Sequence, residues 1–105
     1  MWVSVLYMDL NPKILPDNSG VYRFHSVKNG NSVELYIGKT KRLSQRISLH
    51  TRFLKMLFCD FGETLNISYI LTSDITETQR MFIKELKPKH NIIHNSNNFK
   101  GLMIP

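Results

Sequence analysis

The chain has 105 residues, 42% of them apolar, with a formal charge of +6. This is enough for one domain with a modest core, and no apolar run is long enough to cross a bilayer. The positive balance points to a polyanionic partner, nucleic acid first and an anionic membrane surface second, while the single cysteine, Cys59, excludes an internal disulfide and a cysteine-cluster metal site.

Residues 1–15 read as an N-terminal extension. Met1 to Leu10 lacks a basic leader and carries Asp9, so it makes a poor secretory signal. Within it, the β-prone run Trp2 to Met8 suits an edge strand or a cover over the core. Asn11-Pro12 and the stretch Leu15 to Gly20 then break the chain into loop and turn. From Val21 to Val27 the residues alternate, with Tyr22, Phe24 and Ser26 on one side and Val21, Arg23, His25 and Val27 on the other. That is a strand pattern. Asn29-Gly30 is a strong hairpin turn, and Val33 to Ile37 is the returning strand. Tyr22 and Tyr36 therefore fall on neighbouring antiparallel strands.

Thr40 is placed to cap a helix running from Lys41 to about Leu57. Leu43, Ile47, Leu54, Leu57 and Phe58 form its apolar stripe. Arg46 and His50 border that stripe and face the sheet edge. Leu65 to Leu71 alternates again and reads as a third strand. Asp74 to Glu77 has the form of a capping box, and opens a second helix to about Leu86 with Gln79, Phe82, Ile83 and Leu86 inward. Lys87-Pro88 ends it. Residues 95–105 read as a loosely held tail. The expected fold is α+β, in the order β-β-α-β-α: a three-stranded antiparallel sheet flanked by helices.

The chemistry concentrates in a few residues of this frame. Gly20-Val21-Tyr22 precedes the hairpin turn and Tyr36-Ile37-Gly38 follows it. Arg46 comes ten residues after Tyr36, His50 four later, and Lys87-Pro88-Lys89-His90-Asn91 closes the segment. Each tripeptide alone is weak. Together, in this order, the set resembles the signature of the GIY-YIG nucleases over roughly Pro16 to Asn91, and residues 16–94 read as the domain of that type.

The resemblance implies hydrolysis of DNA phosphodiesters with one divalent ion, Mg2+ or Mn2+. It implies Tyr22 as base or base relay and Arg46 as the clamp on a phosphate oxygen. Tyr36 and His50 would orient the water or the Tyr22 hydroxyl, and Asn91 would tie down the chain end. Gly38 would admit the nucleic-acid backbone, with Lys39, Lys41 and Arg42 on flanking phosphates. A free phenol titrates near a pKa of about 10, so Arg46 and the ion would have to favour the phenolate. His25, His90 and His94 lack the spacing of a zinc site and read as surface or structural.

The pattern breaks at one position. Counting back from Asn91 and from Phe82-Ile83, the family's metal-binding glutamate falls on Gln79. A carboxamide is a far weaker ligand than a carboxylate for a hard cation. Glu77 is the substitute ligand in sequence, but two positions turn it roughly 200° around the helix. Two explanations stand: a Glu→Gln form that keeps shape and binding while losing catalysis, or a diverged relative. The leading expectation is a divalent-metal-dependent DNA endonuclease, as monomer or homodimer, in a reducing compartment, cytoplasmic or nucleoid-associated. The alternatives are a non-catalytic nucleic-acid-binding module on the same fold and a basic adaptor for protein partners.

Overall fold

The structure is a computed structural model and describes residues 2–88. Seven main elements follow one another: β1 (Val3–Leu6), β2 (Gly20–Lys28), β3 (Asn31–Thr40), α1 (Leu43–Leu49), α2 (Thr51–Phe61), β4 (Leu65–Leu71) and α3 (Ile75–Leu86). The fold is α+β, as expected. The sheet, however, has four strands rather than three, in the order β1-β4-β2-β3 and antiparallel throughout. The added strand comes from the N-terminal extension. Val3 to Leu6 pairs with Tyr69 to Asn66, which gives β4 a partner on its second side and leaves β1 at the edge.

The hairpin forms where Asn-Gly demands it. Asn29 and Gly30 both take positive φ, 52° and 79°, as a tight two-residue turn requires. Lys28 then faces Asn31, and the ladder runs back until Tyr22 pairs with Gly38 and Gly20 with Thr40. A register shift between Phe24 and His25 absorbs one irregularity. β4 occupies the residues that its alternation marks.

The expected single helix from Lys41 to Leu57 is two helices broken at His50. The His50 amide bonds Ile47 C=O at 3.1 Å, one residue short of the α-helical partner, while its carbonyl accepts from the Leu54 amide at 2.9 Å. His50 thus closes α1 and opens α2. Nor does Thr40 cap the helix as expected. Arg42 holds that position without a side-chain cap, and Thr40 Oγ1 instead accepts from the Arg42 amide at 3.0 Å. The caps come from the loop before β2: Asn18 C=O accepts from the Leu43 amide at 3.0 Å and Asp17 Oδ1 from the Gln45 amide at 3.3 Å. The expected capping box of α3 also fails to close, since Asp74 makes no side-chain cap and Glu77 pairs with Arg80.

Two layers enclose the sheet. In front, Tyr22, Phe24, Tyr36, Leu65 and Ile67 pack with Leu43, Ile47, Phe53, Leu54 and Leu57 of α1 and α2 in one buried cluster. Behind, α3 lies across β3 and β2, with Gln79, Phe82, Ile83 and Leu86 half-buried. Trp2 meets Phe82 at 4.8 Å between ring centroids. Among the described residues no helix is long and apolar enough to cross a membrane. Asn91, His90, His94 and residues 95–105 lie outside the described part.

Candidate active site

The front face brings four of the expected residues together. Strand alternation puts Tyr22 and Tyr36 on the same side of the hairpin, their ring centroids 6.2 Å apart. The break at His50 turns its imidazole inward, so that the Tyr22 hydroxyl and His50 Nε2 lie 2.7 Å apart. Phe24 stands edge-on to the His50 ring at 5.4 Å, and Phe53 closes on Tyr36 at 5.5 Å. Gly38 is the reason the Tyr22 ring fits. A Cβ built there would overlap the Tyr22 ring and hydroxyl, so only glycine leaves the phenol its place. The aromatic companions Phe24 and Phe53 carried no site signal in the sequence, although Phe24 shares the alternation of Tyr22.

Arg46, half-exposed on α1, is the cation that acts on all three titratable rings. Burial, then the neighbouring Tyr36, pushes Tyr22 well above the usual phenol range, and Arg46 opposes this without prevailing. Tyr36 is raised by burial too, against its hydrogen bond with Tyr22 and against Arg46. Burial first and Arg46 second lower His50 to about 4. At neutral pH this buried cluster therefore holds two phenols and a neutral imidazole. Arg46 by itself does not turn Tyr22 to phenolate, because desolvation of the ring outweighs one guanidinium.

On the outer side of Arg46, beyond this buried cluster, a groove of about 410 Å³ is lined by Thr40, Lys41, Arg42, Gln45, Arg46 and Leu49. Lys41 and Arg42 are exposed here as expected. Arg42 is held by Asp17, its Nε and Nη2 donating to Oδ2 at 3.0 and 2.8 Å, a partner that nothing in the sequence signalled. Lys39 stands apart from this groove and donates to Thr76 Oγ1 at 3.0 Å, linking β3 to α3.

Gln79 reaches the same strand from behind. Its Nε2 donates to Ile37 C=O at 3.3 Å, the residue between Tyr36 and Gly38. Glu77 is exposed and engaged with Arg80, and Glu34 is tied to Arg23 and Ser32. No carboxylate among the described residues accompanies the two phenols, Arg46 and His50, and no three His, Cys, Asp or Glu gather elsewhere. The donor set present is one neutral amide, already hydrogen-bonded to the backbone. It does not fit a Mg2+ or Mn2+ site, which is built on carboxylates and water.

No protein-family model matches the chain. It is similar to UvrABC system protein C from several bacteria. The Chlorobium phaeobacteroides protein is 36% identical over 85 residues, covering 74% of this chain and 13% of that protein. The Chlamydia abortus protein is 34% identical over 92 residues, covering 81% and 15%. That of Campylobacter jejuni subsp. doylei is 32% identical over 94 residues, covering 77% and 15%. The chain thus spans about a seventh of the length of the curated relatives it matches.

Proposed function

We propose that this chain carries a GIY-YIG-type nuclease domain, over residues 16–94, whose basic groove at Arg46 takes a DNA phosphodiester. The observation that carries the reading is the 2.7 Å contact between the Tyr22 hydroxyl and His50 Nε2, in a buried cluster with Tyr36 that adjoins the groove-lining Arg46. Likeness to one segment of UvrABC system protein C supports it.

The arrangement suits general-base relay. A water attacking phosphorus gives its proton to the Tyr22 oxygen as the Tyr22 proton passes to His50 Nε2, while the P–O bond opposite the water breaks and its oxygen leaves as an alkoxide that takes a proton from solvent. A neutral imidazole can accept that proton and an imidazolium could not. Arg46 offers forked donors to the non-bridging oxygens, where charge builds up. Lys41 and Arg42 hold neighbouring phosphates in a salt-sensitive way.

Among the described residues no carboxylate stands ready for a divalent ion at this site, so this chain binds the phosphodiester and cuts it poorly or not at all. Changing Gln79→Glu puts a carboxylate beside Ile37 C=O, on the strand between Tyr36 and Gly38, and we propose that this form takes one Mg2+ or Mn2+. The test is nicking of supercoiled plasmid by both forms with each ion. The glutamate form is expected to nick, and Tyr22→Phe or Arg46→Ala in that background to abolish nicking. If the glutamate form is as inert as the glutamine form, the endonuclease reading fails. A second reading, a non-catalytic DNA-binding module, is favoured by the Gln79 amide already resting on Ile37 C=O. It predicts that inert outcome together with salt-dependent binding.

A further inference from the structure

Among the described residues Leu49 is the single apolar one lining the basic groove, and it is 58% exposed. It is the last residue of α1. Its neighbours on the inner side are fixed: Leu43 and Ile47 fill the core and His50 turns into the pocket. Leu49 is therefore held outward, three residues beyond Arg46, on the face that also presents Arg42 and Gln45. A leucine gains nothing from phosphate or water. It gains by covering an apolar surface, and on a nucleic acid that surface is the face of a base.

From this we infer that Leu49 contacts an unstacked base beside the phosphate held by Arg46, so the preferred substrate is DNA with an unpaired or displaced nucleotide at that point. The inference rests on the nucleic-acid reading above. Phosphates on Arg46 and on Lys41 or Arg42 place the intervening nucleotide over the groove. In an intact duplex its base face is hidden against its neighbours, and exposing it costs unstacking energy. A mismatch or gap has already met much of that cost. The cationic residues then hold any strand, while Leu49 favours the distorted one.

The probe is a duplex carrying 2-aminopurine, either fully paired or at a mismatch, titrated at fixed salt. The expected result is binding about tenfold tighter to the mismatched duplex, with a rise in fluorescence as the base leaves the stack. Leu49→Ala, which opens no core cavity, brings the ratio of the two affinities close to one, and Leu49→Phe restores or widens it. A wild-type ratio near one, or a ratio unmoved by Leu49→Ala, overturns the inference and leaves the nucleic-acid reading standing. Absence of any salt-dependent binding to either duplex overturns both.

Discussion

Each face of the sheet buries one histidine, His50 in front and His25 behind, and burial lowers both to about 4. Their surroundings are otherwise opposite. Both nitrogens of His25 are engaged, Nε2 with Ser68 Oγ at 2.6 Å and Nδ1 with Ser32 Oγ at 3.3 Å. Ser68 continues to Ser4 at 2.6 Å. Ser32 continues to Glu34 at 2.6 Å, Glu34 to Arg23 at 2.9 Å, and the Arg23 guanidinium lies 4.6 Å above the Trp2 ring. Every charge there has its opposite within the network. In front, Arg46 faces phenols and an imidazole that are all neutral. The same residue type at the same degree of burial thus serves two ends: a closed network joins strands, whereas an uncompensated cation beside neutral acceptors invites an anion.

The largest effect that sharpens this contrast is on pH dependence. Both histidines titrate lower in the folded chain than the usual 6.5, so the unfolded chain takes up protons first on acidification. Stability from these groups is whole above about pH 6.5 and falls as pH drops toward about 4. Between pH 7 and 5 the loss for His50 is about 2 kcal/mol. For His25, bordering exposed Ser32, it is smaller. Urea denaturation at the two pH values should show the loss, and His50→Gln should shrink it more than His25→Gln. An equal change in both variants would show the two environments to be alike for a proton.

Next in size is Gly38→Ala. The added methyl must displace the Tyr22 ring, whose neighbours Phe24 and His50 are themselves buried. Overpacking of this kind costs about 1–3 kcal/mol. In an NMR spectrum the imidazole signals of His50 should shift and those of His25 stay in place. Movement of both would mean that the faces are mechanically coupled through β2.

The contrast also explains what could be read from the sequence. Local chemistry was legible: Asn29-Gly30 dictates its own turn, the alternation from Leu65 to Leu71 delimits β4, and the half-buried stripe of α3 follows helical period. Tyr22, Tyr36, Arg46 and His50 are marked in the sequence by glycines and spacing, and the fold brings them to one face. Features set by distant partners were not. Pairing of β1 with β4 depends on residues sixty or more positions apart. The helix break at His50 accompanies a contact with Tyr22, twenty-eight positions away. Asp17 takes over the cap and anchors Arg42 from the preceding loop. The back network escaped notice because serines on alternating strands look like solvent-facing residues until α3 and Trp2 cover that side.

The smallest effect is the one that most cleanly separates the two faces. Ser32 is exposed, yet it is the link between His25 and Glu34. Ser32→Ala removes two hydrogen bonds without opening the core. Glu34 keeps Arg23, and His25 keeps Ser68. The expected cost is therefore about 0.5–1 kcal/mol, the net worth of a partly solvated hydrogen bond, read as a small drop in the urea midpoint. DNA affinity and its salt slope should not move, because no residue of the back network reaches the groove. A change in either would mean that the closed network tunes the open one, through the strand that carries Arg23 and His25 on one side and Tyr22 on the other.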